Sequence, residues 1–308
     1  MEFGPYLIIA LFEGALTSAV IALTAVGLSV VFGLMRVVNV AHGEFFMLGA
    51  VFTWFITWNL GLNPTVGFIT ALLLVPLAVG SLATLADRLI LNRLDYDPER
   101  TIVATIGLLY LIQQSTLMSY GPDARPVEPP FNHRIALPWI ELGESGWQIY
   151  WPWGFGITTY KLAVILAAIV LLWILLRLLA RTKYGLLIRA TQQDSEMALA
   201  FGIPVSRVYA IVFGIGGGLA ALGAVLIVPI RQAHYLMGGE PLLLSFIVVI
   251  VGGLGSIPGT ILAAILIGMS DGLISVFFSP TLAKIVATLL VVFVLIFRPN
   301  GLFGKNQQ

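Results

Sequence analysis

The sequence predicts an all-α, polytopic transmembrane bundle, and three observations lead there. Of 308 residues, 59% are hydrophobic and only 10% charged, whereas a soluble domain is about a quarter charged. Several apolar runs exceed the roughly 20 residues needed to cross a bilayer. Those runs lack the short alternating segments of a membrane barrel. Cysteine is absent and the net charge is +1. Disulfides and thiolate metal sites are therefore excluded, and the charge argues against a nucleic-acid partner.

The first span runs from about Tyr6 to Met35 and contains Glu13-Gly14. Glu2, the lack of a basic head and the length of the apolar run mark a retained span, not a cleaved leader. Arg36 to Ala50 (RVVNVAHGEFFMLGA) then places polar groups between two hydrophobic stretches. A second span ends near Trp58, and Gly61 to Pro64 makes a turn. The third span covers Thr65 to Leu91, and the charged connector Asn92 to Arg100 carries Pro98. The fourth is Thr101 to Tyr120. Gly121 to Thr159 is rich in Pro, Gly and Trp. It reads as an ordered extramembrane loop with short strands, whose Trp147, Trp151 and Trp153 mark the interface. A fifth span is Tyr160 to Ala180. The remaining runs are Val208 to Ile230, Leu242 to about Leu254, Ile257 to Phe278 and Leu282 to Phe297. The expectation is eight or nine segments in one transmembrane domain over 1–308, one or two of them broken or re-entrant.

Basic residues near span ends set the orientation. Arg177, Arg181, Lys183, Arg189 and Arg207 surround the central connector, and Arg298 and Lys305 follow the last span. The 121–159 loop is poor in them. Connector and C-terminus therefore face the cytoplasm, the Trp-rich loop faces outward, and nine crossings put the N-terminus outside.

The 183–207 connector has a pattern of its own. Ala190, Asp194, Ala198 and Gly202 recur every four residues, which places them on one side of a helix. Asp194 is a candidate cap for the turn that follows, and Gly202 before Pro204 is a stop signal. Either the connector lies on the lipid surface, or it fits a groove on another protein.

Enzyme signatures are missing. No GxxxxGK[ST] loop and no GxSxG elbow occurs, and His42, His133 and His234 lack ligand-like spacing. No metal site is expected. Glu13, Asp271, Lys284 and the Arg36–Glu44 cluster are ionisable groups in or beside spans, which marks them for function. For Glu13, Arg36 and Lys284 the alternative is an interfacial position. Asn39, His42 and Glu44, next to Gly43 and near Gly49, point to a broken helix lining a cavity or to a tight cytoplasmic turn. Gly252, Gly253, Gly255 and Ser256 lie in VGGLGSIPG, a stretch built for close packing or a break. Gly214 to Ala221 reads as helix packing. The two glycine-rich breaks occupy comparable places in the two halves and hint at an internal repeat.

Four stretches in order, NVAHGEFFMLGA (Asn39 to Ala50), RATQQDSEMALAFGI (Arg189 to Ile203), VGGLGSIPG (Val251 to Gly259) and RPNGLFG (Arg298 to Gly304), resemble the LivH-type permeases of bacterial branched-chain amino-acid ABC importers. The resemblance covers nearly the whole chain. It implies a multi-pass permease of the bacterial inner membrane that binds no cofactor itself. ATP and Mg would be used by two separate ABC ATPase subunits. Arg189, Ala190, Asp194, Ala198, Gly202 and Ile203 match the family's coupling-helix motif, which docks on the ATPase. A periplasmic binding protein would deliver substrate at the outer loop. A second permease, LivM-like or a second copy, would complete the pathway within membrane lipid. Pathway or gate candidates are Asn39, His42, Gly43, Glu44, Gly252, Gly253, Gly255 and Ser256. The chain departs from the family pattern at Thr260, at Ala263-Ala264 and at Gly238 to Pro241. A urea or short-chain amide permease would look much the same. An ion-coupled secondary transporter working alone would need a midplane acid, Asp271 or Glu13. A membrane enzyme would have only Asn39, His42 and Glu44, with no nucleophile.

Overall fold

The computed structural model describes residues 3–59, 61, 63–136, 139–143, 146–150, 156–298 and 301–303. Eleven helices are described: α1 Phe3–Met35, α2 His42–Asn59, α3 Pro64–Leu89, α4 Pro98–Tyr120, α5 Thr159–Arg181, α6 Lys183–Gln193, α7 Ser195–Ala200, α8 Val205–Ile227, α9 Gly239–Gly252, α10 Ile257–Phe277 and α11 Pro280–Phe297. Seven of them, α1, α3, α4, α5, α8, α10 and α11, are long and apolar enough to cross a membrane. The two remaining apolar segments, α2 and α9, both follow a break in the chain.

Helix starts follow local chemistry. Asn63, Asp97, Ser256 and Ser279 each accept a hydrogen bond from a backbone N–H in the first turn of α3, α4, α10 and α11. In all four a proline occupies one of the first two helical positions. The side-chain oxygen satisfies an orphan donor, and the proline needs none.

The 121–159 loop holds two antiparallel ladders among its described residues. In one, β1 Arg134–Ala136 pairs with β4 Gly156–Thr158; in the other, β2 Trp139–Gly143 pairs with β3 Gly146–Tyr150. Trp151 and Trp153 lie outside the described residues.

Three long contacts build the core, and each is made by small residues. A Cβ on Gly14 would stand 2.9 Å from Met269 Cα, and one on Gly268 would stand 2.6 Å from Ser18 Cα, so α1 and α10 meet backbone to backbone. Gly80 faces the Gly214 carbonyl and Gly218 faces that of Pro76, which locks α3 to α8. Gly27 meets Gly216, and Gly223 meets Val20, where α1 crosses α8. All three pairs run antiparallel. Close approach through small residues is how helices associate where the surroundings are already apolar.

These directions reveal an inverted repeat. α1, a break, α2, α3 and α4 are followed, after α5 to α7, by α8, a break, α9, α10 and α11 in the opposite sense. Contact α1–α10 mirrors α8–α3, and α2 packs on α8 as α9 packs on α1. The repeat expected from the sequence is present, but its second break is 228–238 and not Val251 to Gly259. The latter is the turn between α9 and α10, whose counterpart joins α2 to α3.

Each break is sealed by a partner from elsewhere. In 36–41, Val40 N–H donates to Thr105 Oγ1 at 3.3 Å, and Ala41 N–H to Asn39 Oδ1 at 3.1 Å. In 228–238, Ala233 exchanges two 2.9 Å backbone bonds with Arg125, and its carbonyl also accepts from Tyr120 Oη at 2.9 Å. Non-helical backbone survives at membrane depth only when satisfied in this way.

Candidate functional site

The connector between α5 and α8 is two helices and not one. Asp194 has φ −157° and ψ 108°, and its carboxylate accepts from Met197 N–H at 2.9 Å, capping α7. The cap expected at Asp194 is present, yet it interrupts the helix. Ala190 on α6 and Ala198 on α7 therefore do not share one continuous stripe, because the extended residue between them resets the helical phase. Gly202 (φ +82°) closes α7 with its N–H on Leu199 O, while Ile203 N–H reaches Ala198 O. This pair of bonds is the glycine-terminated helix end, which needs the left-handed residue that glycine tolerates.

Arg189 turns back onto α5, donating to Leu179 O and, at 3.5 Å, to Ala180 O. A cation there meets the negative end of the α5 dipole. Gly185 rests on the Leu179 backbone and fixes the elbow. The other side of the connector is apolar and exposed. Met197, Leu199 and Phe201 stand free, Phe201 at 80% exposure. Sequence reasoning missed these three, which MALAFGI (Met197 to Ile203) contains in plain view; attention to small residues hid the large ones between them.

A cavity of about 1040 Å³ separates the connector from the ends of the spans on its side of the bundle. Arg189, Gln192 and Gln193 line one side; Gly33, Arg36, Gly255 and Ser256 line the other. Behind it Gly33 and Gly255 (φ +79°) touch, with 2.8 Å between a Cβ on one and the Cα of the other. Gln192 reaches the same glycine: its Nε2 would lie 3.1 Å from a Cβ on Gly33. Ser256 caps α10, and Gly252 packs on Gly259. The C-terminal segment straps this turn, since Leu302 N–H donates to Val251 O at 2.8 Å and Gly301 packs on Gly253. Of the connector candidates, Arg189 thus shares a cavity with Gly255 and Ser256, whereas Ala190, Asp194, Ala198, Gly202 and Ile203 do not line it.

Asn39, His42, Gly43 and Glu44 lie elsewhere, at the start of α2. His42 is wholly buried and its Nε2 meets Thr24 O at 2.9 Å. Thr24 lies eleven residues before the end of α1, roughly 16 Å back along the helix. The chain therefore re-enters the bundle before α2 begins, which favours the broken helix over a surface turn. Gly43 abuts the Gly238 carbonyl, so the starts of α2 and α9 touch. Among the described residues, His42 Nδ1 and Glu44 Oε2 are buried without a hydrogen-bond partner.

Glu13 pairs with Lys161, and Lys284 with Glu240 at 3.3 Å, while Asp271 lines a cavity at the opposite end of the bundle from the connector. Two features escaped the sequence reading. Asp87 is buried near the C-terminal end of α3 and accepts from Tyr96 Oη at 3.4 Å. Burial, with the Asp87 carboxyl second, pushes the Tyr96 phenol far above its ordinary range, so it stays a donor. The other is a repeated signal. Arg36 precedes Gly43-Glu44 at nearly the spacing by which Arg231 precedes Gly239-Glu240, and each arginine follows a long central helix. No group of three His, Asp or Glu placed to hold a metal occurs among the described residues.

Comparison with known proteins accords with this geometry. Residues 10–295 match the family described as the branched-chain amino acid transport system permease component. The high-affinity branched-chain amino acid transport permease protein BraD of Pseudomonas aeruginosa is 27% identical over 310 residues, covering 96% of this chain and 95% of that protein. LivH of Escherichia coli K12, with the same description, is 26% identical over 98% of this chain and 97% of its own length. A probable LivH of Methanocaldococcus jannaschii is 23% identical over 96% and 92%. No solved structure matches. Crossing helices, inward breaks and a match over nearly the full length agree: the chain is a multi-pass membrane protein and belongs to the branched-chain amino acid transport permease family.

Proposed function

We propose that this chain is the membrane-spanning permease subunit of a bacterial inner-membrane ABC importer for branched-chain or related amino acids. Two separate ATPase subunits would bind ATP and Mg and dock on the 183–207 connector. A periplasmic binding protein would deliver substrate to the 121–159 loop, and a second permease, LivM-like or another copy, would complete the complex. One observation carries the reading. The connector shows bare apolar side chains outward (Met197, Leu199, Phe201) while its inner side touches the Gly33–Gly255 closure through Gln192. A part bound to α5 through Arg189 and to the inner closure through Gln192 transmits displacement to both. Closure of an ATPase dimer on such an element is the rigid-body input that alternating access requires.

Inward movement of a neutral amino acid needs no fixed charge deep in the span, and the His42–Glu44 region is polar and makes no ion pair among the described residues. The test is purification from the native membrane in mild detergent, with mass spectrometry of what stays bound, followed by reconstituted leucine uptake. An ATPase pair, a binding protein and ATP-dependent uptake are expected. Phe201→Asp should cut uptake at least ten-fold with normal amounts of chain in the membrane. The chain alone, active without ATP, would establish a secondary transporter instead.

A further inference from the structure

A second cavity, on the side of the outer loop, has no part in the coupling described above. It encloses about 170 Å³ between α1, α2, α8, α9 and α10 of this one chain, room for one small molecule and too little for a peptide. Its walls are apolar, with Leu16 and Val20 of α1, Phe46 of α2 and Leu244 of α9. Its rim carries both signs of charge. Arg231 Nη1 stands 3.5 Å from one oxygen of Glu240, and Lys284 Nζ stands 3.3 Å from the other. Asp271 lines the same rim within electrostatic reach of those three groups, and among the described residues it makes no hydrogen bond or ion pair. Glu13, also on the rim, is matched by Lys161. Three acids, Glu13, Glu240 and Asp271, and three cations, Lys161, Arg231 and Lys284, lie at or beside the rim, so a charged guest would leave a surplus charge in a confined place. A neutral zwitterion would not.

The floor adds a second, independent observation. Thr24, whose carbonyl meets His42, lines the cavity, as does Phe46, one helical turn beyond His42. The cavity therefore reaches the residue whose carbonyl holds His42 Nε2 at the buried start of α2.

We propose that this cavity is a binding site for one neutral amino acid with an apolar side chain. Its ammonium sits on Asp271, its carboxylate on Arg231, and its side chain against Leu16, Val20 and Phe46. The site names the substrate's place within the transport reading above and rests on it. It lies inside a single permease chain, so the substrate is held before it meets the partner permease.

Two measurements on the purified complex, freed of its binding protein, separate the site from the transport reading. The first is equilibrium binding of tritiated L-leucine in lipid nanodiscs, competed by 4-methylpentanoate, which lacks the ammonium, and by isoamylamine, which lacks the carboxylate. Saturable binding is expected, with each one-headed analogue competing at least ten-fold more weakly than leucine. Asp271→Asn should weaken binding about ten-fold, and Leu244→Trp, which fills the cavity, should abolish it. Asp271→Glu should restore most of it, which a merely misfolded chain would not allow. The second is leucine uptake with ATP and binding protein present. Uptake without saturable binding, or binding unchanged in both Asp271→Asn and Leu244→Trp, overturns the site and leaves the permease reading standing. Absent uptake of any neutral amino acid overturns that reading, while the binding result still decides the site.

Discussion

At the scale of single residues, the contact between Gly43 and Gly238 decides how close the two inward breaks come. A Cβ on Gly43 would collide with the Gly238 carbonyl and stand 2.8 Å from Leu242 Cβ. Neither neighbour can step aside cheaply, because one is backbone and the other sits at the root of a packed side chain. Gly43→Ala should therefore destabilise the folded chain by about 1–3 kcal/mol, the cost of overpacking. Gly239→Ala, one residue along from Gly238, meets nothing within 4 Å and should be neutral within about 0.5 kcal/mol. Thermal unfolding of both variants in one detergent checks the pair; equal midpoints would mean that the α2 and α9 starts are not in tight contact. Only half of this contact was legible in the sequence. Gly43 stood out beside Asn39, His42 and Glu44, whereas Gly238 to Pro241 registered as a departure from the family pattern. Which glycine faces which is long-range information, and a one-dimensional pattern carries little of it.

At the scale of elements, the Asp194 break turns the connector into two levers with separate attachments. α6 holds α5 through Arg189 and meets Gly33 through Gln192. α7 carries the exposed Leu199 and Phe201 and ends on Gly202. The four-residue spacing from Ala190 to Gly202 was real, but spacing is blind to a capping residue that takes extended dihedrals. Aspartate followed by Ser-Glu was the available sign, since both suit a new helix start. Asp194→Lys removes the cap and places a cation at the positive end of α7, costing roughly 1–2 kcal/mol locally. Gly202→Leu forces a side chain into a left-handed position, roughly 1–2 kcal/mol more, although its Cβ meets no neighbour. Both variants should insert normally and keep ATP hydrolysis, while leucine uptake falls about ten-fold or more. ATPase and uptake rates measured on the same proteoliposomes test this, and unchanged uptake in both would remove the connector from the coupling path.

At the scale of the whole molecule, every apolar run appears as a helix within a few residues of its expected ends, because length and hydropathy fix spans locally. The inverted pairing of the halves was not legible, since it depends on which helices meet. The repeated Arg and Gly-Glu pattern is a few residues long and surrounded by unrelated ones. Yet that pairing determines what can move. α1 and α10 come from different halves, but Gly268 lies on Ser18 and Gly272 on Gly14, backbone against backbone. Thr260 Oγ1 donates to Ser29 Oγ at 3.0 Å farther along the same seam. Surfaces so closely interlocked do not slide without first separating. α1 with α10 and α3 with α8 should therefore each move as a unit, and the Gly27–Gly216 contact of α1 on α8 ties the two units together. The chain has no cysteine, so a designed pair can be read without background. Ser29→Cys with Thr260→Cys replaces two hydroxyls already in contact, and oxidation should bridge them with little distortion. The oxidised protein should retain uptake within about two-fold of the reduced form, since a bond inside one rigid unit does not oppose its motion. A loss of uptake on oxidation that reductant restores would place an opening seam between α1 and α10. The units would then be the two sequence halves, and the outer cavity, which spans that seam, would widen with each cycle.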